Sequence, residues 1–179
     1  MIDPNNIIQE YTDYELKELL VFTILVAGKT AKTIAPRAEK LYEFITHYQP
    51  HLQVAELKLF MQKIGLGPYN KAETIIEALK LDLRTCSIED LEKIKGIGPK
   101  TAKAFIMWSR PNIQQAILDT HVLKWLKSQG VDNVPKSTPS RGSTYDRLEQ
   151  EFLSRVPEGM TPAEFDLVIW RSYSEKTNS

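Results

Sequence analysis

A single cysteine, Cys86, is present among 179 residues. An internal disulfide framework is thereby excluded, as is any zinc or iron–sulfur site that needs several thiolates from this chain. A lone thiol fits a reducing compartment. Long apolar runs are also missing. The longest, residues 19–28 (LLVFTILVAG), falls well short of the ~18–20 residues that span a bilayer and has the length of a buried core helix. The opening residues, MIDPNNIIQEY, lack the basic start and apolar stretch of a signal peptide. A cytoplasmic, nucleoid-associated protein with no membrane partner is expected.

Net charge is missing too, with 23 basic residues against 23 acidic ones. A nucleic-acid binder usually carries a basic excess, so the average argues against that class. The distribution argues for it. Residues 1–20 hold five acids against Lys17, a net of −4. Residues 91–127 hold seven bases against Glu92 and Asp119, a net of +5. Residues 145–179 hold seven acids against four bases, a net of −3. A basic middle between acidic ends can present one positive face while the mean stays at zero.

What the chain does have is helical periodicity. A helix is predicted over 12–27, opened by Thr12 with Glu15 as a capping box and closed by Gly28. Others are predicted over 32–49, with Pro36 in the first turns, over 53–64, ended by Gly65-Leu66-Gly67-Pro68, and over 70–79. Ser87 and Asp90 open a short helix over 87–93, Pro99 begins one over 99–109, and Asp119 caps one over 120–129. The last two cover 145–156 and 162–173, the latter capped by Thr161. Residues 133–144 (NVPKSTPSRGST) form the one long loop. No segment reads as a strand, and no repeat is found. The expected class is all-α, as two helical lobes with a cleft between them. A barrel lobe takes 19–125, and 1–18 plus 126–179 form the second.

Residues 87–109 read SIEDLEKIKGIGPKTAKAFIMWS. Ile94-Lys95-Gly96-Ile97-Gly98 lies between two short predicted helices. A hairpin this tight needs glycine where φ turns positive and where backbone must approach another molecule closely. The turn runs directly into a helix N-terminus, whose unpaired N–H groups and positive dipole end favour an anion. Backbone amides bind phosphate without regard to base, and Lys95, Lys100 and Lys103 add charge at the same corner. The plain alternative is an ordinary glycine connector. Against it stands the coincidence of hydrophobic–Gly–hydrophobic–Gly, the Pro/Lys entry and the lysine cluster. Gly96, Gly98, Lys95, Thr101 and Lys103 are therefore expected at bound DNA.

The segment IKGIGPKTAKAF, followed by Ala116-Ile117-Leu118-Asp119-Thr120-His121-Val122, resembles the helix-hairpin-helix DNA glycosylase superfamily typified by endonuclease III and the 8-oxoguanine glycosylase/lyases. Residues 64–76 (IGLGPYNKAETII) resemble that family's Gly-Leu-Tyr-Asn…Lys-Ala segment. The likeness extends over about 12–175. The four-cysteine iron–sulfur loop of endonuclease III is absent, which points to the cluster-free prokaryotic 8-oxoguanine branch.

The resemblance implies a catalytic lysine at Lys100 and a catalytic aspartate at Asp119. A neutral amine can attack a sugar C1′ and form a Schiff base, which a carboxylate cannot do. A lysine is normally protonated at neutral pH, so it must be partly buried or held near other cations, and Lys103 one turn away supplies that pressure. Asp119 would stabilise charge developing on the sugar. The plainer roles are a surface lysine on a DNA-binding hairpin and a simple N-cap. His121 is expected to be structural, its ring bonded to backbone.

An extruded base leaves a hole to be filled. By resemblance Leu66 and Tyr69 are candidate wedges, and Lys29 and Lys71 candidate strand contacts. Trp108, Trp125 and Trp170 are expected in the core, with stacking on the extruded base as the alternative for any one of them. Gly28-Lys29-Thr30 has the tail of a phosphate-binding loop, but Thr23 stands where that motif begins with glycine and no strand precedes it, which excludes a nucleotide hydrolase. The expected function is removal of an oxidised base, 8-oxoguanine foremost, from double-stranded DNA by a monomer. No metal or organic cofactor is expected, apart from a monovalent cation on the hairpin carbonyls. An oxidised-pyrimidine glycosylase/lyase and a non-catalytic helix-hairpin-helix module are the alternatives.

Overall fold

The structure, a computed structural model, describes residues 10–27, 29, 31–49, 51–67, 71–110, 112–140 and 142–174. Among them every regular element is a helix. These are α1 (Asp13–Val26), α2 (Ala31–Tyr48), α3 (Val54–Lys63), α4 (Lys71–Ala78), α5 (Ile88–Glu92), α6 (Pro99–Ser109), α7 (Thr120–Ser128), α8 (Ser143–Leu153) and α9 (Pro162–Ser174). No described helix is long and apolar enough to cross a membrane.

Local chemistry sets the ends. Thr12 Oγ1 accepts the Glu15 N–H at 3.3 Å, and the Glu15 carboxylate accepts the Thr12 N–H at 2.8 Å. Ser87 and Asp90 repeat this reciprocal pairing at α5, both bonds at 3.1 Å. Thr161 and Glu164 repeat it at α9. Each box satisfies two donors that a helix start leaves orphaned. α8 begins two residues before its apolar pattern does. Gly142, at φ +138, ends the loop, and the exposed Ser143 and Thr144 fill a first turn with no hydrophobic signal. Gly28, expected to stop α1, lies outside the described residues.

The chain divides into two compact units within α6, between Phe105 and Ile106. Residues 10–18 group with the first unit and 106–125 with the second, which differs from the lobe boundaries drawn from the sequence. In the first unit α1 packs on α2 and α4, and α3 packs on α2 and α4. α1 is buried on every face from Glu18 to Leu25, as befits a central helix. The second unit is built on Val122, Leu123, Leu126, Tyr145, Leu148, Phe152, Phe165 and Ile169. Trp125 packs edge-on against Phe165 (5.1 Å) and Phe152 (6.0 Å). All three tryptophans are half-buried rather than fully enclosed.

The Asp90 carboxyl is held down to about 2, first by the Lys93 ammonium and then by the Ser87 N–H and hydroxyl. Its unfolded value is 3.8. The folded value is the lower one, so the ionised cap's contribution is complete above pH 3.8 and is lost as pH falls through about 2. Asp90→Asn should therefore lower the thermal unfolding midpoint at neutral pH. The gap from wild type should close as pH falls from about 4 to 2. A gap that stays constant with pH would remove the carboxylate from this role.

Candidate active site

Between α5 and α6 the chain makes the expected glycine turn. Ile94 N–H bonds the Leu91 carbonyl and Ile97 N–H bonds the Ile94 carbonyl, both at 3.1 Å. Gly96 stands at φ +97, in the left-handed region that side-chain-bearing residues avoid. A Cβ there would lie 2.5 Å from Thr74 Oγ1. Gly98 differs: its φ is not positive, and a Cβ would meet nothing within 4 Å. Its want of a side chain answers to nothing inside the protein and leaves the turn open to an approaching molecule.

α6 begins on that turn. Pro99 has no N–H, and among the described residues the N–H groups of Gly98, Lys100 and Thr101 meet no acceptor. Lys95 and Lys100 are exposed and make no ion pair among those residues, so the partial burial expected of Lys100 is not found. Unpaired amides at a helix start, flanked by two ammonium groups, form a site for a phosphate. Lys103 is different. Although it lies within one turn of Lys100, it is 9% exposed, because packing covers α6 from its second turn onward. It is not an exposed phosphate contact.

In the second unit, Asp119 caps α7. Its Oδ1 accepts from the N–H groups of His121 (2.8 Å) and Val122 (2.9 Å). Its Oδ2 has no hydrogen-bond partner among the described residues. One oxygen thus orients the carboxylate and the other remains available for chemistry. The extended strand of chain before it is held by side chains. Glu149 accepts the Ala116 N–H (2.8 Å), the Tyr145 hydroxyl donates to the Ala116 carbonyl (2.8 Å), and Thr138 donates to the Leu118 carbonyl (2.6 Å). Buried backbone without a helix or sheet needs such partners. The backbone bond expected for the His121 ring is not made at Nδ1, which is buried without a partner.

The expected DNA-inserting positions fare unevenly. Lys29 is exposed. Tyr69 lies outside the described residues. Leu66 is 1% exposed, and a wedge must stand proud of the surface. The reason is the end of α3. Gly65, at φ +69, donates to Gln62, and Leu66 donates to Met61 at 2.8 Å. This is a Schellman turn, whose next residue packs inward on the helix. Lys71 is half-buried and donates its ammonium to the Ile24 carbonyl, at the last turn of α1. Burial first, and then the charge of Lys29, push it below the usual lysine range. Sequence spacing gave no sign of Arg37, whose guanidinium donates to the Gly65 carbonyl at 3.2 Å. With Lys29, Thr33, Ile34 and residues 65–67, Arg37 lines a hollow of about 380 Å³.

An all-helical chain with a glycine turn opening onto unpaired amides defines a helix-hairpin-helix protein, and the family model for that motif matches residues 80–106. A Thermotoga sp. (strain RQ2) 8-oxoguanine DNA glycosylase/AP lyase is 31% identical over 178 positions, covering 90% of this chain and 81% of the relative. The chain belongs to the 8-oxoguanine DNA glycosylase/AP lyase family. Its fold is similar to the crystal structure of the Thermotoga maritima 8-oxoguanine DNA glycosylase (TM-score 0.66, 27% identity, 90% of this chain and 80% of that one). It is also similar to a Methanocaldococcus jannaschii 8-oxoguanine glycosylase/lyase bound to a 15mer DNA containing 8-oxoguanine (TM-score 0.68, 24% identity, covering 92% and 83%). That last likeness, at its low identity, speaks for the fold alone.

The two hairpin glycines should separate by experiment. Gly96→Ala should cost about 3 kcal/mol of unfolding free energy, from backbone strain plus the contact with Thr74. Gly98→Ala should change stability by less than about 0.5 kcal/mol and, if the open amides take a phosphate, weaken duplex affinity at least about tenfold, since a methyl would then crowd them. Equal stability losses in the two variants would contradict this division.

Proposed function

We propose that this chain is a bifunctional DNA glycosylase/AP lyase that excises 8-oxoguanine from double-stranded DNA. The observation that carries the reading is the position of Lys100 on the open first turn of α6, in a chain matching an 8-oxoguanine DNA glycosylase/AP lyase over nine-tenths of its length. The hairpin amides of Gly98, Lys100 and Thr101, with Lys95, grip the phosphate backbone. Lys29 contacts the strand beside the lesion.

The Lys100 amine, in its neutral form, attacks the sugar C1′. The C1′–N bond to the base breaks, and the base leaves with a proton from solvent. The Asp119 Oδ2 stabilises the positive charge that develops on the sugar, while Oδ1 keeps the carboxylate aligned. Ring opening gives the lysine–sugar imine, which acidifies the 2′ hydrogen. Loss of that proton expels the 3′ phosphate and nicks the strand. Every step uses side chains and water, and a monovalent cation on the hairpin carbonyls belongs to the same proposal as a structural aid. The working form is a monomer in the DNA-containing cytoplasm.

Borohydride reduction in the presence of an 8-oxoguanine duplex tests this, because the imine becomes a permanent protein–DNA adduct. Wild type should be trapped, and Lys100→Gln should give no adduct while still binding duplex. Trapping that persists in Lys100→Gln would assign the nucleophile elsewhere; no trapping of wild type on any oxidised-base duplex would leave a binding module. Asp119→Asn keeps a good N-cap and should slow base release by about 10²–10⁴-fold with an unchanged unfolding midpoint. Full activity would leave Asp119 with the cap alone.

A further inference from the structure

We infer that Thr74 is a positioning residue for the hairpin, fixing the 94–98 turn in the shape that aims its amides at a duplex phosphate. The inference rests on the reading of that turn as the DNA contact. Thr74 lies on α4, 5% exposed, and its hydroxyl donates to the Lys95 carbonyl at 2.8 Å across 21 residues of chain. A threonine within a helix commonly bonds back to the carbonyl one turn earlier. Thr23 does so on α1 with Leu19, and Thr46 does so on α2 with Tyr42. Thr74 instead reaches another segment.

The carbonyl it holds belongs to the peptide that joins Lys95 to Gly96. A peptide unit is planar, so anchoring its oxygen also fixes the direction of the Gly96 N–H and limits rotation about the bond where φ is +97. Glycine alone is too permissive to hold such a turn in one shape. The hydroxyl supplies the restraint, and the missing Cβ supplies the space: the two are complementary to within the 2.5 Å that a methyl at 96 would violate. α4 is anchored in turn. Three residues earlier, Lys71 donates to the Ile24 carbonyl at the end of α1, near exposed Lys29. One short helix therefore references the hairpin to the segment that carries Lys29. A cluster of phosphate donors binds well only when preorganised.

The test uses the full chain as wild type, Thr74→Val, Thr74→Cys and Thr74→Ser. Valine keeps the shape and removes the donor, cysteine is a weak donor, and serine restores the hydroxyl. Two readouts apply: hydrogen exchange at the Ile97 and Ala102 amides of the free protein, and affinity for an 8-oxoguanine duplex well below each unfolding midpoint. Thr74→Val should speed exchange at Ile97 and Ala102 about tenfold and weaken duplex binding by a similar factor. Exchange along α9 should not move. Thr74→Cys should fall between, and Thr74→Ser should return both readouts to within about twofold of wild type. Wild-type affinity in Thr74→Val, or in Thr74→Cys if valine does not fold, would overturn the inference, as would serine failing to rescue. A wild type that binds duplex without forming a borohydride adduct would sink the lyase reading alone. A wild type that binds no duplex would sink both.

Discussion

Gly96 turns the chain at φ +97, in a space that Thr74 Oγ1 leaves no room to enlarge. Much follows from that constraint. The turn is short enough that α6 starts at once on Pro99, which has no N–H to offer. The neighbouring amides of Gly98, Lys100 and Thr101 then face outward without acceptors among the described residues. Lys100 comes to stand on this first turn, exposed. In the proposed mechanism this holds the nucleophile close to the amides assigned to the phosphate backbone, so binding and reaction would share one local geometry.

A second theme is how the ends of helices are paired. Each helix leaves carbonyls without partners at its C-terminus, and here side chains from distant segments meet them or the turns that follow. Lys71 serves Ile24, and Arg37 serves the Gly65 carbonyl just past α3. The chain between α6 and α7 makes no regular structure, yet Glu149, Tyr145 and Thr138 satisfy its buried backbone. These bonds fix loops and extended chain as firmly as helices. Asp119 extends the economy: one oxygen closes the helix start, and the other has no partner among the described residues.

The proposed sites were legible wherever the signal was local. Capping boxes at Thr12 and Ser87 and the caps at Thr161 and Asp119 involve residues two or three apart, and a helix start is decided by just such neighbours. The glycine turn was legible because positive φ restricts residue type directly. Leu66 was misjudged although its cause was also local. The residue after a Schellman glycine packs inward, whereas family likeness pointed outward. Lys103 was misjudged because a lysine in a basic run looks solvated until packing shows which part of α6 is covered.

The sequence by itself determined the helices, most of their starts, the hairpin turn that needs glycine and the lysine that follows it, since each depends on interactions within a turn or two of chain. Only the tertiary structure decided that Thr74 clasps Lys95, that Arg37 holds Gly65, that Lys71 faces inward and that Glu149 supports the approach to Asp119. Those contacts join residues 21 to 47 positions apart, and no periodicity encodes them. They arise because buried carbonyls and amides must find partners wherever packing happens to bring a donor or acceptor within reach.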